Sequence, residues 1–223
     1  MLNLFESFSD SEIDTYKNDN FNLLNEFYKI SCNFGDFHGE NNTEYGQITI
    51  INEISFLIPP KCKFFNKNVI EIKKFLPESE KFDFIVIDPP WKCRYIKRLK
   101  KTFDQKSYNM MTNDEISNIS LRNYTHKSSI VIIWATNSET HENFIKNSLL
   151  EKWDLKQIGI WHWIKVDKTG DTFCSFEGNK KPYEKIFIAT HFKNDVKDII
   201  EKEISIVSQS SSIHSHKPQL LSK

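Results

Sequence analysis

The run Lys81-Phe82-Asp83-Phe84-Ile85-Val86-Ile87-Asp88 breaks off at Pro89-Pro90, and that junction limits the folds open to this chain. A short, nearly all-apolar segment reads as a strand buried on both faces, the habit of parallel sheets covered by helices. A proline pair cannot continue the hydrogen-bond ladder, so the strand must end there. Ser129–Ala135 (Ser-Ile-Val-Ile-Ile-Trp-Ala) repeats the apolar pattern. Between the two, Thr112–Ile119 reads as a short helix. After the second, Asn137 or Ser138 can cap a helix with Ile145, Leu149 and Trp153 on one face. Lys156–Val166, Glu184–Thr190 and Ile204–Gln209 read as further strands, with a turn at Asp167-Lys168-Thr169-Gly170. This order predicts an α/β domain: a mostly parallel sheet with flanking helices.

Upstream, Gln47–Ile58 is β-rich and Pro59-Pro60 stops it, Gly35–Tyr45 reads as a polar loop, and Asp19–Phe34 as a helix with Phe21, Leu24 and Tyr28 on one face. Residues 6–20 are polar, acidic and expected to fray. We therefore expect an acidic extension with one helix over residues 1–45 and the main domain over 46–223. Net charge is zero, yet unevenly spread: residues 1–60 carry ten acids against Lys17 and Lys29, leaving the remainder at +8. A polyanion is drawn to the second part and repelled by the first. No run of eighteen apolar residues exists to span a membrane. Cys32, Cys62, Cys93 and Cys174 stand far apart with no Cys-x-x-Cys, which excludes a zinc ribbon and gives no disulfide framework. His214 and His216 lack further ligands at metal-site spacing, so no metal is expected.

In α/β sheets ligands bind beyond the carboxyl ends of the strands. Asp88-Pro89-Pro90-Trp91 stands at one such end, with Thr136 and Asn137 at another. The bland alternative is a turn in which Asp88 caps local amides. The chemical reading concerns the exocyclic amine of adenine, whose lone pair is delocalised into the ring. Two acceptors, the Asp88 carboxylate and the Pro89 carbonyl, can hold both amine hydrogens and free that lone pair for methyl transfer. Proline has no N–H to compete, and its fixed φ holds the carbonyl in place. The Trp91 indole is expected to stack on the base. Lys92–Lys106 carries seven Lys/Arg against Asp104, with Tyr95, Phe103 and Tyr108 interleaved or adjacent. Arg94, Lys97 and Arg98 are thus candidates for tracking a phosphate backbone. Trp134, Trp161 and Trp163 alternate with apolar residues and read as core, while His162 faces the other way.

These residues meet a known pattern. Leu57-Ile58-Pro59-Pro60-Lys61, Phe82 to Trp91, Trp161-His162-Trp163-Ile164-Lys165, Lys180-Lys181-Pro182-Tyr183-Glu184 and His214-Ser215-His216-Lys217-Pro218 occur in the order found in one family. The sequence resembles the adenine-N6 methyltransferases that include the catalytic subunit of the messenger-RNA adenosine methyltransferase, and within them the methyltransferase-like-four branch. The resemblance covers roughly residue 46 to the end. It implies a Rossmann-like methyltransferase fold, S-adenosyl-L-methionine as donor, and a nucleic-acid substrate containing adenine, RNA or DNA with RNA favoured, in the nucleus. It implies that Lys217, beside His216, meets the donor carboxylate and that Asn68-Val69 lie near the donor adenine. Tyr108 falls in a loop closing over the site, and Lys180, Lys181, Tyr183 and Glu184 in a second substrate loop. The family continues past His-Ser-His-Lys-Pro with a last strand and donor-ribose motifs. This sequence ends at Lys223, so the resemblance implies a fold incomplete at its C-terminus. That departure motivates an alternative: an inactive nucleic-acid-binding or scaffold relative. The basic run Lys97-Arg98-Leu99-Lys100-Lys101 serves equally as a substrate patch or an import signal.

Overall fold

Alternating apolar residues need a sheet with something packed on it, and here a five-stranded sheet carries the fold. The computed structural model describes residues 37–51, 54–92, 110–178, 180–194, 203–209 and 217–218. The helix expected at Asp19–Phe34 lies outside them, as do Arg94, Lys97, Arg98, Tyr108 and His216. Strands β5 (Phe84–Ile87), β6 (Ile130–Ala135), β7 (Leu155–Val166), β8 (Tyr183–His191) and β9 (Glu203–Gln209) form the sheet, in the order β5-β6-β8-β7-β9. β5 with β6 and β7 with β9 are parallel; β8 runs against both its neighbours. The connection between β7 and β8 carries no crossover helix, so the two pair antiparallel.

Helices cover one face. Thr112 caps α1 (Asn113–Ser117) in a reciprocal capping box with Glu115. α2 (Glu139–Phe144) passes through a π turn at Ile145–Leu149 into α3 (Leu150–Lys152). Ser138 precedes α2 but makes no side-chain cap bond. Ile145, Leu149 and Trp153 share the buried face the sequence predicts, against Val131, Ile133, Phe187 and Ala189. The Trp153 indole N–H donates to the Ile119 carbonyl at 2.9 Å. Residues of opposite parity pack on the other side: Ile132, Trp134, Trp163, Ile186 and Ile188.

Three expectations change. The sheet is mixed, not mostly parallel: among the described residues two of its four pairings are parallel and two antiparallel. β5 is not buried on both faces: it stands at one end of the strand order, and Phe84 and Val86 stay 39% and 47% exposed. Its apolar composition hides the fact that only the Ile85/Ile87 side meets the helix-covered core. The loop expected at Gly35–Tyr45 holds strand β1 (Phe37–Asn41), which pairs antiparallel with β4 (Cys62–Asn66) across the boundary drawn at residue 45. β2 (Gln47–Ile51) and β3 (Ile54–Ile58) form a second antiparallel pair, ending before Pro59-Pro60. Among the described residues no helix is long and apolar enough to cross a membrane.

Candidate active site

The carboxyl ends of β5, β6 and β7 and the start of β8 lie at one end of the sheet. Asp88 follows β5 directly, so the strand sets its backbone. The Pro89 carbonyl accepts the Trp91 backbone N–H at 2.8 Å, and the Pro90 carbonyl accepts that of Met111 at 2.8 Å. The tetrapeptide is thus a tied turn. Pro89 is buried and the Asp88 side chain remains 42% exposed.

Trp91 departs from expectation. Its indole is 3% exposed, donates its N–H to the Trp134 carbonyl at 2.8 Å and packs at 4.9 Å on the His141 ring. A ring so enclosed cannot stack on a base. It pins the tetrapeptide to β6 instead. His141, itself buried, contacts Asn113 Oδ1 at 2.8 Å and the Lys92 carbonyl at 3.1 Å, which fixes the backbone just beyond Trp91.

Around Asp88 the charges alternate. The Lys217 ammonium lies 3.4 Å from Asp88 Oδ2 and 2.7 Å from Glu184 Oε2. The other Glu184 oxygen takes Lys165 Nζ at 2.5 Å. Two indoles form the floor. Lys217 Nζ stands 4.8 Å from the Trp134 ring centroid, and Lys165 Nζ 4.6 Å from that of Trp163. The two rings meet edge to face at 5.6 Å. Trp163 also donates its indole N–H to Ser208 Oγ on β9 at 2.8 Å. Trp134 and Trp163 are core residues, as expected, and their faces also hold cations.

These neighbours set the ionisation. Burial pushes the Asp88 carboxyl above its ordinary range; Lys217 pulls it down, and Glu184 adds to the rise. Burial also works against ionised Glu184, but Lys217 and Lys165 outweigh it and hold that carboxyl below its usual value. A carboxylate in a partly dehydrated place needs such cations to remain charged.

Other expected residues divide. Tyr183 is half-buried beside the cluster; its ring meets His162 edge to face at 5.3 Å and stacks on Phe176 at 6.2 Å. Burial, then Lys185, lowers the His162 pKa. Lys180 is exposed, and Lys181 donates to the Phe176 carbonyl at 2.5 Å. Asn68 accepts the Ile70 N–H as the cap of the 3-10 helix Val69–Lys74, and Val69 is exposed. Sequence reasoning assigned no role to Lys165, His141 or Phe176. Lys165 alone carried a signal, as the last residue of the Trp-x-Trp-x-Lys stretch. The described residues contain no cluster of His, Cys, Asp and Glu able to hold a metal.

A family model described as MT-A70 matches residues 82–223, from the start of the apolar run through the whole cluster. The chain belongs to the MT-A70 family. That membership agrees with the Rossmann-like methyltransferase fold expected from the motifs. Among curated relatives, the human N(6)-adenine-specific methyltransferase METTL4 is 27% identical over 191 residues, 81% of this chain and 39% of that protein. The DNA N6-methyl methyltransferase of Caenorhabditis elegans is 27% identical over 170 residues, 74% of this chain and 44% of that one. The N6-methyladenosine RNA methyltransferase MTA1 of Cryphonectria parasitica is 25% identical over 179 residues, 78% and 53%. The METTL4 matches bear out the branch expected within MT-A70. The chain spans about two-fifths of the length of METTL4, 39%.

Proposed function

We propose that this MT-A70 chain transfers a methyl group from S-adenosyl-L-methionine to the exocyclic N6 of adenine in nucleic acid, RNA in preference to DNA. The observation that carries the reading is the Asp88 carboxylate at the end of β5, kept beside Lys217 and next to the tied Pro89 carbonyl. Both acceptors sit on a turn anchored by Trp91, so they meet an amine without reorganising. Each takes one N–H hydrogen, and the amine lone pair turns toward the incoming methyl. The Pro89 oxygen already accepts one N–H and keeps a second lone pair for substrate.

The residues fit the donor's charged groups. Lys217 and Lys165 are suited to a carboxylate, and Asp88 and Glu184 to an ammonium. The donor supplies a methyl activated on a sulfonium; the chain supplies alignment of the acceptor amine and charge balance. Asp88 would leave the step still ionised: the new N–C bond replaces the donor's S–C bond, the donor would depart as a neutral thioether, and the methylated amine would give up its proton to water.

RNA is favoured by two fungal relatives named as RNA methyltransferases, while the nematode relative is named for DNA. A nuclear location accompanies the family reading. The test is calorimetric titration with S-adenosyl-L-methionine, followed by methyl transfer to adenine-containing RNA and DNA oligonucleotides by wild type and Asp88→Ala. Donor binding, with transfer abolished in a folded variant, supports the proposal. Transfer at wild-type rate by Asp88→Ala overturns it. Oligonucleotide binding without donor binding supports a non-catalytic relative instead.

A further inference from the structure

So far Lys165 has been given only a charge suited to the donor's carboxylate, yet it is the best-fixed cation of the cluster. It sits on β7 between β8 and β9, its backbone N–H donating to the Pro182 carbonyl at 2.8 Å. Its ammonium rests over Trp163 and meets Glu184 Oε1. Lys217 lies on none of the sheet strands. A lysine ammonium on a four-carbon stem goes where its partners hold it. Two carboxylates compete for Lys217, and Glu184 is the nearer, at 2.7 Å against 3.4 Å for Asp88. What limits the hold of Glu184 is that its second oxygen is occupied by Lys165. Freed of that partner, the Glu184 carboxylate can rotate to offer both oxygens to Lys217 and draw it from Asp88.

We propose that Lys165 is a positioning residue: acting through Glu184, it holds the Lys217 ammonium beside the Asp88 carboxylate. The purpose given to that arrangement rests on the methyl-transfer reading; the arrangement itself does not. Its function is to keep Asp88 ionised as an amine acceptor. Among the described residues the charged groups acting on Asp88 are Lys217, Glu184 and Lys165, so a field effect of Lys165 on Asp88 must be separated from an effect relayed by Glu184.

A double-mutant cycle separates them. The Asp88 side-chain carbon is followed by carbon-13 NMR through a pH titration of the full chain, its signal assigned with Asp88→Asn. Lys165→Met is compared with its parent in the wild-type background and again with Glu184→Gln. Relay through Glu184 predicts that Lys165→Met raises the Asp88 midpoint by about one pH unit in the wild-type background. It predicts less than half of that shift beside Glu184→Gln, and a midpoint near wild type for Lys165→Arg. An equal shift in both backgrounds means Lys165 acts by its own field and overturns the proposal, as does no shift in either. Lys165→Gln replaces Lys165→Met if the latter fails to fold. Calorimetry with S-adenosyl-L-methionine on the same wild-type sample judges the methyl-transfer reading separately. Absent donor binding removes that reading and leaves the Asp88 result standing.

Discussion

Trp91 donates its indole N–H to the backbone carbonyl of Trp134 at 2.8 Å. The bond joins the last residue of the Asp-Pro-Pro-Trp turn to the neighbouring strand, so Asp88 and Pro89, the proposed acceptor pair, are held from both sides. One side is the covalent continuation of β5 and the other is this anchor on β6. The tetrapeptide's aromatic residue therefore works by fixing geometry.

Trp91→Ala should cost about 3–5 kcal/mol of stability, as expected for truncating a buried aromatic. Trp91→Phe keeps most of the packing but strands the Trp134 carbonyl, a loss of about 1–3 kcal/mol. Urea unfolding of both variants reads these losses. A base-stacking Trp91 would instead give a Trp91→Phe variant as stable as wild type and weaker only in oligonucleotide binding.

The acid side of the pH–rate profile should report Asp88, which must be ionised to accept amine hydrogens. Burial raises its pKa, Lys217 opposes and Glu184 adds. Activity should therefore fall as pH drops through a value above the ordinary aspartate range. Lys217→Met, by removing the opposing charge, should move that limb to higher pH. Glu184→Gln should move it lower, since a repelling carboxylate is gone and Lys217 is released toward Asp88. Limbs that move together in both variants would exclude Asp88 as the titrating group.

Much of this site was legible in the sequence, for identifiable reasons. The apolar runs at Phe84–Ile87 and Ile130–Ala135 and the helix-period trio Ile145, Leu149 and Trp153 all report local periodicity. The stop at Pro89-Pro90 is local backbone chemistry, and it places Asp88 at a strand end. What escaped depends on distant pairings. Trp91 turns inward because Trp134 and His141 receive it, and neither is close in sequence. Lys165 meets Glu184 through a β7–β8 register that shifts at an irregularity between Gln157 and Gly159. Such a shift reassigns every cross-strand pair beyond it. The exposure of Phe84 and Val86 reflects strand order, which composition does not carry.

Asp88→Asn should melt at a higher temperature than wild type at pH 7. The folded pKa of Asp88 is raised above its unfolded value, so its ionised form is less favourable in the folded chain. That penalty is complete above the folded pKa and vanishes as pH falls below the unfolded one. The advantage of Asp88→Asn should shrink accordingly in melts run at decreasing pH, while methyl transfer is lost throughout. A variant that melts lower than wild type at pH 7 would mean the Lys217 pair outweighs burial.

With Trp91 enclosed, the loop between β7 and β8 offers, among the described residues, aromatic surface at the Asp88 end of the sheet. Phe173 and Phe176 are 58% and 48% exposed, and Phe176 stacks on Tyr183. Lys180 is exposed on the same loop. Stacking and phosphate pairing differ in their response to salt, so two substitutions separate them. Phe176→Ala should weaken binding of a single-stranded adenine-containing RNA by about 1–3 kcal/mol at every salt concentration. Lys180→Ala should weaken it most at low salt and reduce the slope of log K against log salt by about 0.7. Fluorescence anisotropy across a salt series measures both. Unchanged affinity in Phe176→Ala, with wild-type slope in Lys180→Ala, would remove this loop from the substrate path and leave the basic stretch after Lys92 as the phosphate-binding element.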